Sequence, residues 1–135
     1  MSYLLDTNSF IDHLRRGPGS KVTTRLLVAN PGSIYLCSIV LAELLYGVRH
    51  SATSHQAANL ALVEVLRQRF ASLPFDDRAA EEYGRILAQL ASQGNLIGPN
   101  DLLIAAIALA NRMTLVTNNT AEFTRVAGLT VESWQ

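Results

Sequence analysis

The sequence predicts an α/β fold: a central parallel sheet of four to five short strands flanked by helices. Three observations carry this. Short apolar runs alternate with helical patterns along the whole chain. Gly-, Pro- and Asn-containing breaks separate the segments. A cluster of helix-capping residues comes directly after the first apolar run.

Tyr3–Leu5 reads as a short strand that runs into Asp6-Thr7-Asn8-Ser9, from which a helix extends to about Arg16 and stops at Gly17-Pro18-Gly19. A second short helix covers Ser20 to about Ala29 and ends at Asn30-Pro31-Gly32. Ser33–Ser38 reads as a buried strand. Ile39–His50 reads as a helix whose apolar stripe is Val40, Leu41, Leu44, Leu45 and Val48. Ser54–Phe70 fits a long helix, and Leu73-Pro74-Phe75 a short edge strand, the place where a sheet tolerates proline. Asp76-Asp77 opens another helix, ending near Gly94. Asn100–Met113 is apolar almost all round and is therefore a buried helix. Thr114–Thr117 is a strand, Asn119–Phe123 a helical turn, and Leu129–Glu132 a last strand.

At 135 residues and 49 % hydrophobic, the chain suits one domain over residues 1–135 with a real core. Charged residues are 16 %, below the usual quarter, which leaves apolar surface for a partner or a second copy. Eleven basic residues balance eleven acidic ones, so net charge does not argue for a nucleic-acid binder; only a local patch would serve. Arg15, Arg16, Lys21, Arg25 and Arg49 lean the first third basic, as an ordinary solvated face also would. Cys37 is the only cysteine, which excludes an internal disulfide framework. Met1–Asp6 lacks a signal-peptide pattern, and Leu102–Ala110 is too short to span a bilayer, so a reducing cytoplasm is expected. His13, His50 and His55 share no zinc-ligand spacing, and no nucleophile elbow or phosphate-binding glycine loop occurs.

In open parallel sheets the active site lies beyond the carboxyl ends of the strands. Asp6 ends the first strand there, Glu43 lies early in the helix after the second, and Asp101 opens the buried helix. Thr117-Asn118-Asn119 ends a further strand, with Glu122 one turn on. Gathered carboxylates repel one another, and a hard divalent cation with oxygen ligands relieves that repulsion. The chemistry such a site serves is phosphoryl transfer. Each residue also has a structural explanation. Asp6 and Asp101 fit helix caps or first-turn acids, and Glu43 fits a surface residue. Asn119 and Glu122 have capping-box spacing.

The motifs resemble those of a known family. Leu4-Leu5-Asp6-Thr7-Asn8 resembles the opening of PIN domains. Ser38 with Ala42-Glu43-Leu44 and Gly47 looks like their second motif. Ile97-Gly98-Pro99-Asn100-Asp101 followed by Leu103-Ile104-Ala105-Ala106 looks like the third. Leu115-Val116-Thr117-Asn118-Asn119 with Glu122-Phe123 looks like the fourth. Order, spacing and length resemble the VapC toxins of toxin–antitoxin systems.

The resemblance implies a Mg²⁺- or Mn²⁺-dependent endoribonuclease with tRNA or another structured RNA as substrate. It implies Asp6, Glu43 and Asp101 as metal-binding and catalytic acids, with a water activated between metal and RNA phosphate to leave a 5′-phosphate and a 3′-hydroxyl. Thr7 or Asn8 would support Asp6, and Thr117 would line the site. Asn119, beside Asn118, is implied as the fourth catalytic position, where the family commonly has Asp; it keeps a carbonyl oxygen but no charge, and Glu122 is placed to help. Arg15, Arg16 and Arg25 are candidate phosphate contacts. A VapB-type antitoxin partner and a homodimer are implied by the same resemblance. The same acids would also serve a DNA nuclease or a phosphatase, and an inactive scaffold of this fold would keep most of them. A receiver-type signalling domain would need a late lysine, and Lys21 is the only one.

Overall fold

The computed structural model describes all 135 residues. Five strands form one sheet: β1 (Tyr3–Leu5), β2 (Ile34–Cys37), β3 (Ala71–Leu73), β4 (Thr114–Val116) and β5 (Val131–Glu132). Their order is β3-β2-β1-β4-β5, and every neighbouring pair is parallel. Seven helices connect them: α1 (Thr7–Arg16), α2 (Lys21–Val28), α3 (Ser38–His50), α4 (Thr53–Arg69), α5 (Asp77–Ser92), α6 (Pro99–Ala110) and α7 (Thr120–Phe123). The chain steps outward from β1 to β3, then crosses back over β1 to β4. Right-handed crossovers therefore place α1–α4 on one face and α5–α6 on the other. The change of direction falls between β1 and β4, which is where such sheets open a crevice at their carboxyl ends.

The central strands are apolar because both faces are covered. Leu4, Leu5, Leu36, Leu115 and Val116 are completely or almost completely buried. α6 is the core helix, with Leu102, Ile104, Ala105, Ala106, Ile107 and Ala108 buried, and it packs closely along α5. α1 buries Phe10 against Phe70 at the end of α4. The only cysteine, Cys37, is a buried free thiol whose pKa burial pushes up to about 11. No helix is long and apolar enough to cross a membrane.

Most boundaries fall within about a residue of the sequence expectation, and three differ by more. The edge strand lies at Ala71–Leu73, not at Leu73-Pro74-Phe75. Its register pairs Tyr35, Leu36 and Cys37 with residues 71–73, and Pro74, which has no N–H, ends the ladder instead of sitting inside it. The buried helix stops at Ala110, not Met113. Arg112 takes a left-handed φ of 53°, and the chain turns there into β4. The last strand is two residues, Val131–Glu132, because only these pair with β4.

Candidate active site

Register brings the first two site residues together. β1 and β4 pair with Leu5 opposite Val116, so the next residue of each, Asp6 and Thr117, emerges beside the other beyond the sheet. The Asp6 amide donates to the Val116 carbonyl at 3.0 Å, extending the ladder by one bond. Thr117 Oγ1 then donates to Asp6 Oδ2 at 2.6 Å. The other carboxylate oxygen, Oδ1, accepts from the Ser9 amide at 2.9 Å, which makes Asp6 the N-cap of α1. The two explanations of Asp6 are therefore compatible: one side chain caps a helix and stands in the acidic cluster. Each oxygen keeps a lone pair beyond these bonds.

Glu43 approaches from α3, where Thr7 Oγ1 donates to its Oε1 at 2.6 Å. Thr7 thus positions Glu43 and not Asp6; the donors to Asp6 are Ser9 and Thr117. Asn8 is exposed and holds neither acid. Asn118 is likewise exposed and outside the hydrogen-bond network.

Asp101, in the first turn of α6, faces Glu122 of α7 across Gly98: a side chain at Gly98 would meet Asp101 Oδ2 and Glu122 Oε1, each at 3.6 Å. Glu122 is fastened by the Gly98 amide at 2.9 Å and by the Asn119 side-chain amide at 2.7 Å. The Asn119 main-chain amide goes to Thr117 Oγ1 at 2.9 Å. The capping box expected from the Asn119/Glu122 spacing does not form, because Glu122 reaches outward to Gly98 and the Asn119 side chain turns to Glu122. Asn119 brings no charge of its own; it orients one that sits three residues on.

The electrostatics reflect this crowding. Burial, a hydrogen bond shared with Glu122, and the charges of Glu122, Asp6 and Glu43 push the Asp101 carboxyl up to about 7. The Gly98 amide and the Asn119 and Asp101 hydrogen bonds hold Glu122 below the usual carboxylate range, helped by Arg125 on its outer side. Crowding thus pushes the two carboxyls apart, Asp101 upward and Glu122 downward. Arg125, whose guanidinium donates to the Leu96 carbonyl, is a cation that acts on Glu122, and sequence position did not point to it.

The donor set is all oxygen and mostly anionic, which suits a hard divalent cation. No three acidic or histidine side chains converge as a finished ligand set. Glu43 is turned to Thr7, and the Asp101 carboxyl is pushed up by burial and by the neighbouring acids, a repulsion that a cation would relieve. The chemistry of the donors fits Mg²⁺ or Mn²⁺.

The three candidate RNA-contacting arginines separate. Arg15 lines a groove of about 280 Å³ beside Glu43, walled by Ile11, Leu14, Leu44 and Val63. Arg16 is engaged with Asp12 and the Gly19 carbonyl. Arg25 pairs with Glu132 at 3.2 Å and lies over the Trp134 ring at 4.7 Å.

Comparison with known proteins agrees with this architecture. Residues 3–129 match the PIN domain family model. The chain is 39 % identical over 134 residues to "Ribonuclease VapC2" of Rickettsia felis, covering 99 % of this chain and 98 % of that protein. It is 40 % identical over 134 residues, with the same coverage, to "tRNA(fMet)-specific endonuclease VapC" of Shigella flexneri. Among solved structures, the VapBC2 complex of Rickettsia felis bound to a DNA fragment from its promoter contains a chain that superposes with a TM-score of 0.91 at 37 % identity, with full coverage of both chains. The acids gathered at the switch point of a five-stranded parallel sheet, and full-length similarity to these ribonucleases, place the chain in the PIN-domain family, among the VapC ribonucleases.

Proposed function

We propose that this protein is a Mg²⁺- or Mn²⁺-dependent endoribonuclease toxin that cleaves tRNA phosphodiester bonds and is held in check by a VapB-type antitoxin. The observation that carries the reading is that Asp6, Glu43 and Glu122 all lie within electrostatic reach of Asp101 at one rim of the sheet, and together with burial push its carboxyl up to about 7.

Asp6, Asp101 and Glu43 would hold the metal, with Glu122 as the fourth acid in place of the charge Asn119 lacks. A bound divalent cation supplies water of lowered pKa and neutralises charge on the leaving oxygen. Thr117 fixes Asp6 from the side of β4, Thr7 fixes Glu43, and Asn119 with the Gly98 amide fixes Glu122. Arg15 stands beside Glu43 to meet a phosphate. tRNA as the substrate rests on similarity to the tRNA(fMet)-specific enzyme of Shigella flexneri, and the antitoxin on the VapBC complexes among the solved structures. Leu60, Leu62 and Val65, left exposed on α4, support the expectation of a homodimer.

The test is cleavage of a total tRNA pool by antitoxin-free protein, with Mg²⁺ or Mn²⁺, with EDTA, and with Asp6→Asn. Discrete fragments that need both metal and Asp6 are expected. Cleavage that persists in EDTA or in the variant would remove the metal assignment; cleavage of matched DNA with equal efficiency would remove the RNA assignment.

A further inference from the structure

We infer that Tyr46 and His50 on the exposed side of α3 form a stacking platform for an unpaired RNA base next to the cleaved phosphate. The inference rests on the ribonuclease reading above and extends it to substrate recognition.

Glu43, Tyr46 and His50 occupy positions i, i+3 and i+7 of α3, so they lie along one line of the helix surface. At 1.5 Å per residue, Tyr46 is about 4.5 Å and His50 about 10 Å along the axis from the catalytic acid. That span matches a neighbouring nucleotide. The two rings are already stacked, with centroids 5.5 Å apart and planes within 16°. Yet the pair covers no core: Tyr46 is 68 % exposed, and His50 is exposed. A tyrosine this open contributes little to folding, so its preset orientation is free to serve a ligand.

The surroundings indicate which ligand. The other exposed residues of α3 around the pair are Ala42, Gly47 and Arg49, none of them a large apolar side chain. Arg49 enters no ion pair within the fold, and Arg15, also without one, lines a groove together with Glu43. Aromatic faces interleaved with unpaired arginines recognise splayed bases and their phosphates. A protein partner would instead favour an apolar patch with a polar rim.

The experiment measures binding of a single-stranded RNA oligonucleotide carrying 2-aminopurine, in an Asp6→Asn background, together with tRNA cleavage by the otherwise native chain. Tyr46→Ala is expected to weaken RNA binding and raise KM about fivefold or more, the range of a lost base–aromatic stack, with kcat changed far less. Tyr46→Phe should stay within about twofold of native, since the ring and not the hydroxyl stacks. The 2-aminopurine quench should disappear in Tyr46→Ala and persist in Tyr46→Phe. Equal RNA affinity in native and Tyr46→Ala protein would overturn the platform while leaving the ribonuclease reading intact. So would a loss accompanied by a change in oligomeric mass, which would assign Tyr46 to a protein interface. A native protein that neither binds nor cleaves any RNA would overturn both.

Discussion

At the scale of single residues, Asp6 does two jobs that different substitutions separate. Asn keeps an oxygen for the Ser9 amide and is as good an N-cap as Asp. Asp6→Asn is therefore expected to lose cleavage by at least about a hundredfold while the melting temperature stays near native. Asp6→Ala removes the cap as well and should cost a further ~1 kcal/mol, read by urea denaturation. Asp101 makes a pH prediction. Its carboxyl keeps its proton up to about 7 in the fold, against an ordinary value of 3.8. A raised acid pKa stabilises the fold fully below the unfolded value, and that contribution is lost as pH rises through 7. Glu122, held low, acts in the opposite sense: its contribution is present above its ordinary value of 4.5 and is lost as pH falls below it. The metal-free protein should thus lose melting temperature between pH 5 and about pH 7 and level off above it, and Asp101→Asn should flatten that slope. Thermal scans in EDTA across this interval check it; the same slope in the variant would refute the Asp101 assignment. These couplings are only partly visible in the sequence. Strand ends name the acids, but the sequence pairs Thr7 with the wrong acid, because Thr7–Glu43 is a contact between helices 36 residues apart.

At the scale of elements, the helices are more legible than their ends. α6 is readable because its apolar residues leave no polar face, a pattern only a buried helix satisfies. Its end is not, because the chain turns at Arg112, where a left-handed residue is ordinarily Gly or Asn. The strain there yields a prediction: Arg112→Gly relieves the left-handed cost, about 1–2 kcal/mol, against the added backbone freedom of glycine in the unfolded chain. A net gain of up to about 1 kcal/mol is expected by urea denaturation, with cleavage unchanged. Destabilisation by this substitution would show that the Arg112 side chain contributes more than its backbone costs. The edge strand is displaced for a related reason. Leu73-Pro74-Phe75 has the right composition, but the ladder is set by the partner β2, and the proline falls just past its end.

At the scale of the whole molecule, the short last strand is held by a tryptophan two residues beyond it. Trp134 is 4 % exposed, meets Tyr3 edge-on at 5.1 Å, lies under Arg25 and donates from Nε1 to Glu132 Oε1 at 2.9 Å. It ties β5 and α2 to the first strand, so Arg25, a candidate RNA contact in sequence, has a structural use. Trp134→Ala is expected to cost about 3–5 kcal/mol and to lower the melting temperature by about ten degrees or more, on the order of 3–5 °C per kcal/mol at this chain length. Differential scanning calorimetry reads it, and a shift of only a degree or two would mean that β5 is held by β4 alone.

The sequence by itself determined the alternation of strand and helix and the buried character of β1, β2, β4 and α6, and it named the candidate acids, because each is written in local periodicity and in residue type. Only the tertiary structure decided which groups hold those acids. The β1–β4 register sets Asp6 beside Thr117, α3 brings Glu43 to Thr7, and the turn at Gly98 fastens Glu122 opposite Asp101. These contacts join residues far apart in the chain, and no local pattern encodes a distance that only strand order and helix packing create.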